Sequence, residues 1–171
     1  MSLHPAINHS DHIKGNLNAR LEIVEYGDFE CGYCGAAHLI IETIMKEFGH
    51  QIKFVFRNFP LSEIHTNARE AAKATEAAAL QGKYWEMHNS IFENQEYLQP
   101  NDFVQRAENL GLDIQKFKMD MRQNNIAEKI DIDFESGIRS GVNGTPSFFV
   151  NGNKFDGDAS KLLELIQERV A

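Results

Sequence analysis

Residues 21–34 read LEIVEYGDFECGYC. Leu21 to Tyr26 is rich in branched and aromatic side chains and reads as a short strand. Gly27-Asp28-Phe29-Glu30 breaks that strand, and Cys31 and Cys34 follow, three residues apart. From Gly32 to Phe48 the apolar residues Ala36, Leu39, Ile40, Ile44 and Phe48 recur at helical spacing. Gly49 is placed to end the helix. Gln51 to Phe56 (QIKFVF) alternates Ile52, Phe54 and Phe56 as a second strand. A strand–helix–strand unit of this kind predicts a parallel pair joined by a right-handed crossover.

Downstream of Pro60 the pattern turns helical for about eighty residues. Helices are expected over Glu63–Gln81, Lys83–Glu93, Asp102–Leu110 behind an Asn101 cap, a short stretch from an Asp113 cap to Met121, and Asn124–Ser140. Strand character returns at Ser147–Val150. Asn151-Gly152 is the strongest short hairpin signal, so Asn153–Phe155 should pair back before a closing helix over Ala159–Val170. The order is βαβ, a block of helices, then ββα. The expected class is therefore α/β, a thioredoxin-like fold with an all-helical insertion between its halves. The corresponding division is a flexible N-terminal tail over 1–15, a core over 16–60 and 141–171, and an inserted helical subdomain over 61–140.

Composition narrows the function classes. The 171 residues are 42% hydrophobic with a formal net charge of −8, which argues against a nucleic-acid partner, since such partners need clustered Lys and Arg. No run approaches the roughly 20 apolar residues of a membrane helix, so no membrane insertion is expected. Met1 to Gly15 lacks the apolar stretch of a secretory signal. A complete chain would be cytoplasmic; one whose signal was removed ahead of Met1 would be periplasmic or exported. With two cysteines, structural disulfides do not staple the fold.

The pair is instead placed for chemistry. Residues three apart on a helix share a face about 5–6 Å apart, within the Cα separation a disulfide needs. Cys31 stands at the helix N-cap, where unpaired amides and the positive end of the dipole favour an anion, so it is the expected nucleophile. Cys34, one turn inside, is the expected resolving thiol. The alternative outside enzyme chemistry is a zinc-binding or redox-sensing module without turnover, with Cys31, Cys34 and His38 as ligands. A closed zinc site needs four ligands, and no second CxxC or paired histidine motif exists. The expected metal set is none, and the expected cofactor is none beyond the Cys31–Cys34 disulfide itself.

Two further places bear on that chemistry. Glu25 lies on the strand feeding the cysteines; inward-facing, it would be a buried acid relaying the Cys34 proton, but strand alternation alone leaves it equally able to face solvent. Thr145-Pro146 precedes the third strand. A trans bond is the ordinary state, whereas a cis bond would hold the Thr145 backbone opposite the cysteines and offer an edge to an extended substrate. With Gly32 and Tyr33, which lie between the sulfurs, Thr145 and Pro146 make up the expected substrate-binding set. Arg57, Asn58 and Phe59 read as a strand end without a role. Tyr84 and Trp85 read as core or groove lining. His38, His65 and His88 read as structural or exposed, and His4, His9 and His12 as part of a solvated tail.

The segment Val24–Cys34 resembles the active-site strand and CxxC of DsbA-type thiol–disulfide oxidoreductases, and GVNGTPSFFVNG, residues 141–152, resembles their cis-proline loop and following strand. The likeness covers nearly the whole chain. It implies an attacking Cys31, a resolving Cys34, a buried acid at Glu25 and a cis Pro146 preceded by Thr145. It implies exchange with protein or peptide thiols and disulfides, served by a separate redox partner. Gly32-Tyr33 lacks the histidine that strongly oxidising members carry between their cysteines, so strong oxidising power is not implied.

Overall fold

A computed structural model describes residues 1–170; Ala171, the last residue of the expected core, lies outside the described residues. Five strands form one sheet, β1 (Ile13–Gly15), β2 (Leu21–Gly27), β3 (Ile52–Asn58), β4 (Ser147–Val150) and β5 (Asn153–Lys154), in the order β1-β3-β2-β4-β5. β2 and β3 run parallel, joined by α1 (Gly32–Phe48) as the crossover. β4 joins β2 antiparallel and pairs with β5 across Asn151-Gly152. Both turn residues take positive φ, 47° and 76°, as a type I′ turn requires. Between β3 and β4 lie α2 (Ala68–Ala79), α3 (Tyr84–Phe92), α4 (Pro100–Asn109), α5 (Ile114–Asp120) and α6 (Asn124–Arg139); α7 (Ala159–Val170) closes the chain.

Both faces of the central strand are covered. On one side Ile23, Phe54, Phe56 and Phe148 pack with Cys34, Ile41 and the inserted helices. On the other, Val24, Tyr26, Val55 and Phe149 pack with Leu3, Phe59 and Val142. No face of β2 is a solvent face, which settles the choice left open for Glu25. It is 3% exposed, on a strand flanked by Phe56 and Phe148 in register.

The first fifteen residues are not the flexible tail their composition suggests. They run across the second face of the sheet and supply part of its cover. Leu3 is buried and its amide donates to Gly152 O at 2.8 Å, while β1 adds an antiparallel edge to β3. The cause lies on β3. The Arg57 side chain is fully buried and spends all five N–H donors. Nε and Nη2 donate to the Asp11 carboxylate at 2.9 and 2.8 Å, Nη1 to Pro5 O and Tyr26 Oη at 3.0 Å each, and Nη2 also to Ala6 O at 3.2 Å. A buried guanidinium is tolerable only when matched in this way, so Arg57 pins the segment. His12 leaves solvent for the same region, 2.7 Å from Glu76 and stacked on Tyr84. Asn58 donates to Glu76 and Asp133 at 2.9 and 3.0 Å, tying β3 to α2 and α6. Arg57 and Asn58 thus have the structural role that the sequence did not disclose.

The inserted helices follow the expected spacing, with two differences. The helix expected from Glu63 begins only at Ala68. Residues 61–67 form turns because carboxyl groups from the cysteine loop compete for their backbone. Leu61 N donates to Asp28 Oδ2 at 2.8 Å and Asn67 N to Glu30 Oε2 at 2.7 Å. Asp113 caps α5 by accepting from Lys116 N at 2.9 Å. α4 starts at Pro100 rather than after Asn101, with Asp102 accepting from the Gln99 amide at 2.8 Å.

Candidate active site

The loop from Asp28 to Cys31 turns the end of β2 into the start of α1. Cys31 is the N-cap, with extended backbone (φ −75°, ψ 120°). Its amide donates to Asp28 O at 3.1 Å, and its own carbonyl accepts from Gly35 N at 3.1 Å. Its Sγ lies 3.5 Å from Thr145 O, on the loop leading into β4. The Thr145–Pro146 bond is cis. Cys31, Thr145 and Pro146 are therefore brought together as the sequence proposed. Tyr33 stands out at 81% exposed, and the space around the Gly32 Cα is open.

The two thiols are treated in opposite ways. The Cys31 thiol is pulled down to about 5. The hydrogen bond from the Cys34 thiol contributes most, and the Thr145 hydroxyl and the Cys34 and Tyr33 amides add to it against the opposing effect of burial. The Thr145 hydroxyl is buried with no hydrogen-bond partner among the described residues, which leaves it free to turn toward that sulfur. The Cys34 thiol, with no exposed surface, is pushed far above the ordinary range. Burial contributes most, followed by its bond to Cys31 and the charge of Glu25. Its Sγ accepts from Asp28 N at 3.4 Å. Glu25 is pushed up to about 8, by burial first and by the Cys31 charge second.

Three residues to which the sequence assigned no part in the chemistry, one of them His65, read there as structural or exposed, hold this loop. The fully buried Asp28 carboxyl accepts from Glu30 N, Leu61 N and His65 Nδ1, each at 2.8 Å. Gln95, between α3 and α4, donates through Nε2 to Phe29 O and Cys31 O at 2.9 Å each. It presses so close that a Cβ on Gly35 would sit 2.0 Å from Gln95 Oε1. Asp28 read in the sequence as a strand breaker, and nothing around Gln95 or His65 has motif character. The one available signal was the buried acid itself, since an aspartate between two apolar neighbours needs donors from elsewhere.

His38 does not join the cysteines as a ligand set. Its ring is buried, stacked on Phe92 with centroids 5.2 Å apart and set edge-on to His88 at 5.6 Å. Among the described residues no cluster of three or more His, Cys, Asp or Glu side chains is arranged to hold a metal ion.

Comparison with known proteins agrees with this geometry. A family model described as Thioredoxin matches residues 8–168. A thioredoxin-like oxidoreductase from Silicibacter pomeroyi DSS-3 is 25% identical, with 96% of this chain and 95% of that one covered at a TM-score of 0.81. BdbD from Bacillus subtilis, at 23% identity, shares the fold over 99% of this chain and 97% of its own with a TM-score of 0.86. A protein named Na(+)/H(+) antiporter NhaA 1 from Mycolicibacterium vanbaalenii is 38% identical over 169 residues, which is 96% of this chain but 27% of that protein. The chain thus spans about a quarter of the length of the curated relatives it matches, and antiport is named for those longer proteins. No helix among the described residues is long and apolar enough to cross a membrane. With its CxxC at the mouth of α1, a cis proline beside it and helices inserted between β3 and β4, the chain belongs to the thioredoxin family and has the fold of its DsbA-type members.

Proposed function

We propose that this chain is a protein dithiol–disulfide oxidoreductase in which Cys31 attacks, Cys34 resolves and Glu25 handles the Cys34 proton. The observation that carries the reading is the opposed treatment of two sulfurs one helical turn apart. Cys31 is acidified and faces the Thr145 carbonyl, while Cys34 is buried and held protonated. A thiolate is the nucleophile in exchange. A low-pKa sulfur is also a good leaving group, so the same atom serves attack on a partner's disulfide and release from a mixed one.

Glu25 fits the second step. With its carboxyl at about 8, roughly a tenth of molecules are ionised at pH 7. One of the two causes of that shift is the Cys31 charge. Once Cys31 is bonded in a mixed disulfide its charge is gone, so Glu25 ionises more readily. That is the moment at which Cys34 must lose its proton to attack. Thr145 and Pro146 offer backbone to an extended substrate, and Gly32 and Tyr33 present an open, exposed surface beside the reacting sulfur. Substrates are protein or peptide thiols and disulfides, and a separate redox partner returns the pair to its starting state.

Turnover of insulin disulfides with dithiothreitol tests this directly. The wild-type chain should accelerate insulin reduction, Cys31→Ser should abolish the effect, and Cys34→Ala should accumulate mixed disulfides. A wild-type chain with no turnover, or Cys31→Ser with full turnover, refutes the reading.

A further inference from the structure

The turns between β3 and α2 place an imidazole against the acid that underlies both sulfurs. His65 Nδ1 lies 2.8 Å from Asp28 Oδ2, with the Asp28 side chain fully buried and the His65 side chain 23% exposed. The backbone of the same aspartate donates to Cys34 Sγ at 3.4 Å and accepts from Cys31 N at 3.1 Å. The ring is thus tied through one aspartate to both cysteines, yet open to solvent protons. We propose that His65 is a redox-linked proton site: its ring binds a proton more tightly when the Cys31–Cys34 disulfide is reduced to a thiolate and a thiol, and less tightly when the disulfide re-forms. The proposal rests on the oxidoreductase reading and adds to it a group that takes up part of the second proton.

The step balances. A donor dithiol passing two electrons to the disulfide releases two protons as its own disulfide forms. Breaking the Cys31–Cys34 bond leaves a thiolate on Cys31 and a thiol on Cys34, which takes one proton. Of the other, His65 takes up a share, at most about 0.3 of a proton for a midpoint shift of about half a pH unit, and the solvent takes the rest. The charged and titratable groups acting on the ring are Asp28, Cys31 and Glu30, all from the loop between β2 and α1. Burial works against the imidazolium, but the Asp28 bond and charge, the Cys31 charge and the Glu30 charge outweigh it and raise its pKa. Of these, only the Cys31 charge changes when the disulfide forms. Linkage makes the coupling reciprocal, so whatever the Cys31 thiolate adds to proton affinity at His65, the His65 proton adds to the acidity of Cys31. No charged residue lies between the cysteines, where Gly32 and Tyr33 stand. His65 supplies from outside the motif a cation the motif lacks, and acts as a positioning residue for the thiolate.

The test is an NMR titration of the histidine ring protons in the wild-type protein, oxidised and dithiothreitol-reduced, with His65 assigned from the spectrum of His65→Asn. The His65 midpoint should be higher in the reduced protein by about half a pH unit, the scale of a partly screened charge several ångströms away. Asparagine keeps a donor for Asp28 but cannot be charged. His65→Asn should therefore raise the Cys31 thiolate midpoint, read at 240 nm, by a similar amount. Equal His65 midpoints in the two redox states, or an unchanged or lowered Cys31 midpoint in the variant, overturn the proposal. A chain that turns over insulin yet shows either result loses this inference alone, whereas one without turnover loses the oxidoreductase reading as well.

Discussion

Replacing Cys34 by alanine should make Cys31 markedly less acidic, although Cys31 itself and the helix behind it are untouched. The largest single pull on the Cys31 sulfur is the hydrogen bond from the Cys34 thiol. A hydrogen bond to a charged group contributes about 1.5–3 kcal/mol, which is about one to two pH units of midpoint. Cys34→Ala should therefore move the Cys31 midpoint from about 5 to roughly 6–7. Cys34→Ser keeps a donor in nearly the same place and should stay within about half a unit of wild type. At pH 6 about nine-tenths of wild-type Cys31 is thiolate, and the alanine variant should fall to half or less. Absorbance at 240 nm reports the titration, and the iodoacetamide alkylation rate should fall in the same proportion. The shift also has a stability consequence. The Cys31 pKa is lowered on folding, so its contribution to the reduced protein is full above the ordinary thiol value and is lost as pH falls through about 5. It amounts to about 3 kcal/mol at pH 7 and almost nothing at pH 4, and urea unfolding of reduced Glu25→Gln, which lacks the opposing Glu25 titration, should show that loss. A Cys34→Ala midpoint that stays at about 5 would mean that the helix amides and Thr145 suffice, and the coupling between the sulfurs would be refuted.

Glu25 is shifted in the other direction, so the folded state gives up stability as pH rises from about 4.5 to about 8. Glu25→Gln should accordingly stabilise the protein at pH 8, by roughly 4 kcal/mol at most, and leave it unchanged at pH 4, while the rate at which mixed disulfides resolve loses a rise centred below pH 8, because the Cys31 charge that helps raise Glu25 is absent from the mixed disulfide; thermal melts at the two pH values check the first part and stopped-flow quenching the second. Asp11→Ala leaves the Arg57 guanidinium buried without its counter-ion and should cost about 3–5 kcal/mol in urea unfolding, with exchange protection lost first in the N-terminal segment. Gln95→Ala removes both donors to the Phe29 and Cys31 carbonyls; about 1–3 kcal/mol of loop stability should go with them, seen as faster amide exchange over residues 28–35. Tyr33→Ala, at an exposed position, should shift stability by less than about 0.5 kcal/mol and change KM for a peptide substrate instead.

The parts of the fold legible in the sequence were those fixed by local chemistry. Asn151-Gly152 could only be a tight turn, the α1 spacing could only be a helix, and a CxxC at that junction could only put one sulfur at the cap and the other inside. What stayed hidden was decided by distant partners. Nothing in Met1–Gly15 signals docking, because the demand for it comes from Arg57, whose burial is not visible in a strand-end triplet. The missing first turn of α2 has the same origin, since the amides of Leu61 and Asn67 are taken by Asp28 and Glu30, more than thirty residues upstream. Glu25 was undecidable by alternation because that rule assumes one wet face, and β2 has none.

These long-range contacts change what the inserted segment does. Helices between the two halves of a thioredoxin fold could be a lid over a site already complete without them. Here the cysteine loop is held from two places outside the core. Leu61 and His65 satisfy the Asp28 carboxyl, and Gln95 satisfies two carbonyls of the loop itself. Asp28 in turn donates to the Cys34 sulfur and fixes the Cys31 amide. An unpaired buried carboxyl would cost more than any one of these bonds contributes, so the loop cannot keep its shape if residues 61–67 withdraw. Nor can Cys34 keep the place from which it acidifies Cys31. The nucleophile's charge therefore depends on a segment that never touches it, and substitutions in that segment should register first in the thiolate titration and only then in the melting curve.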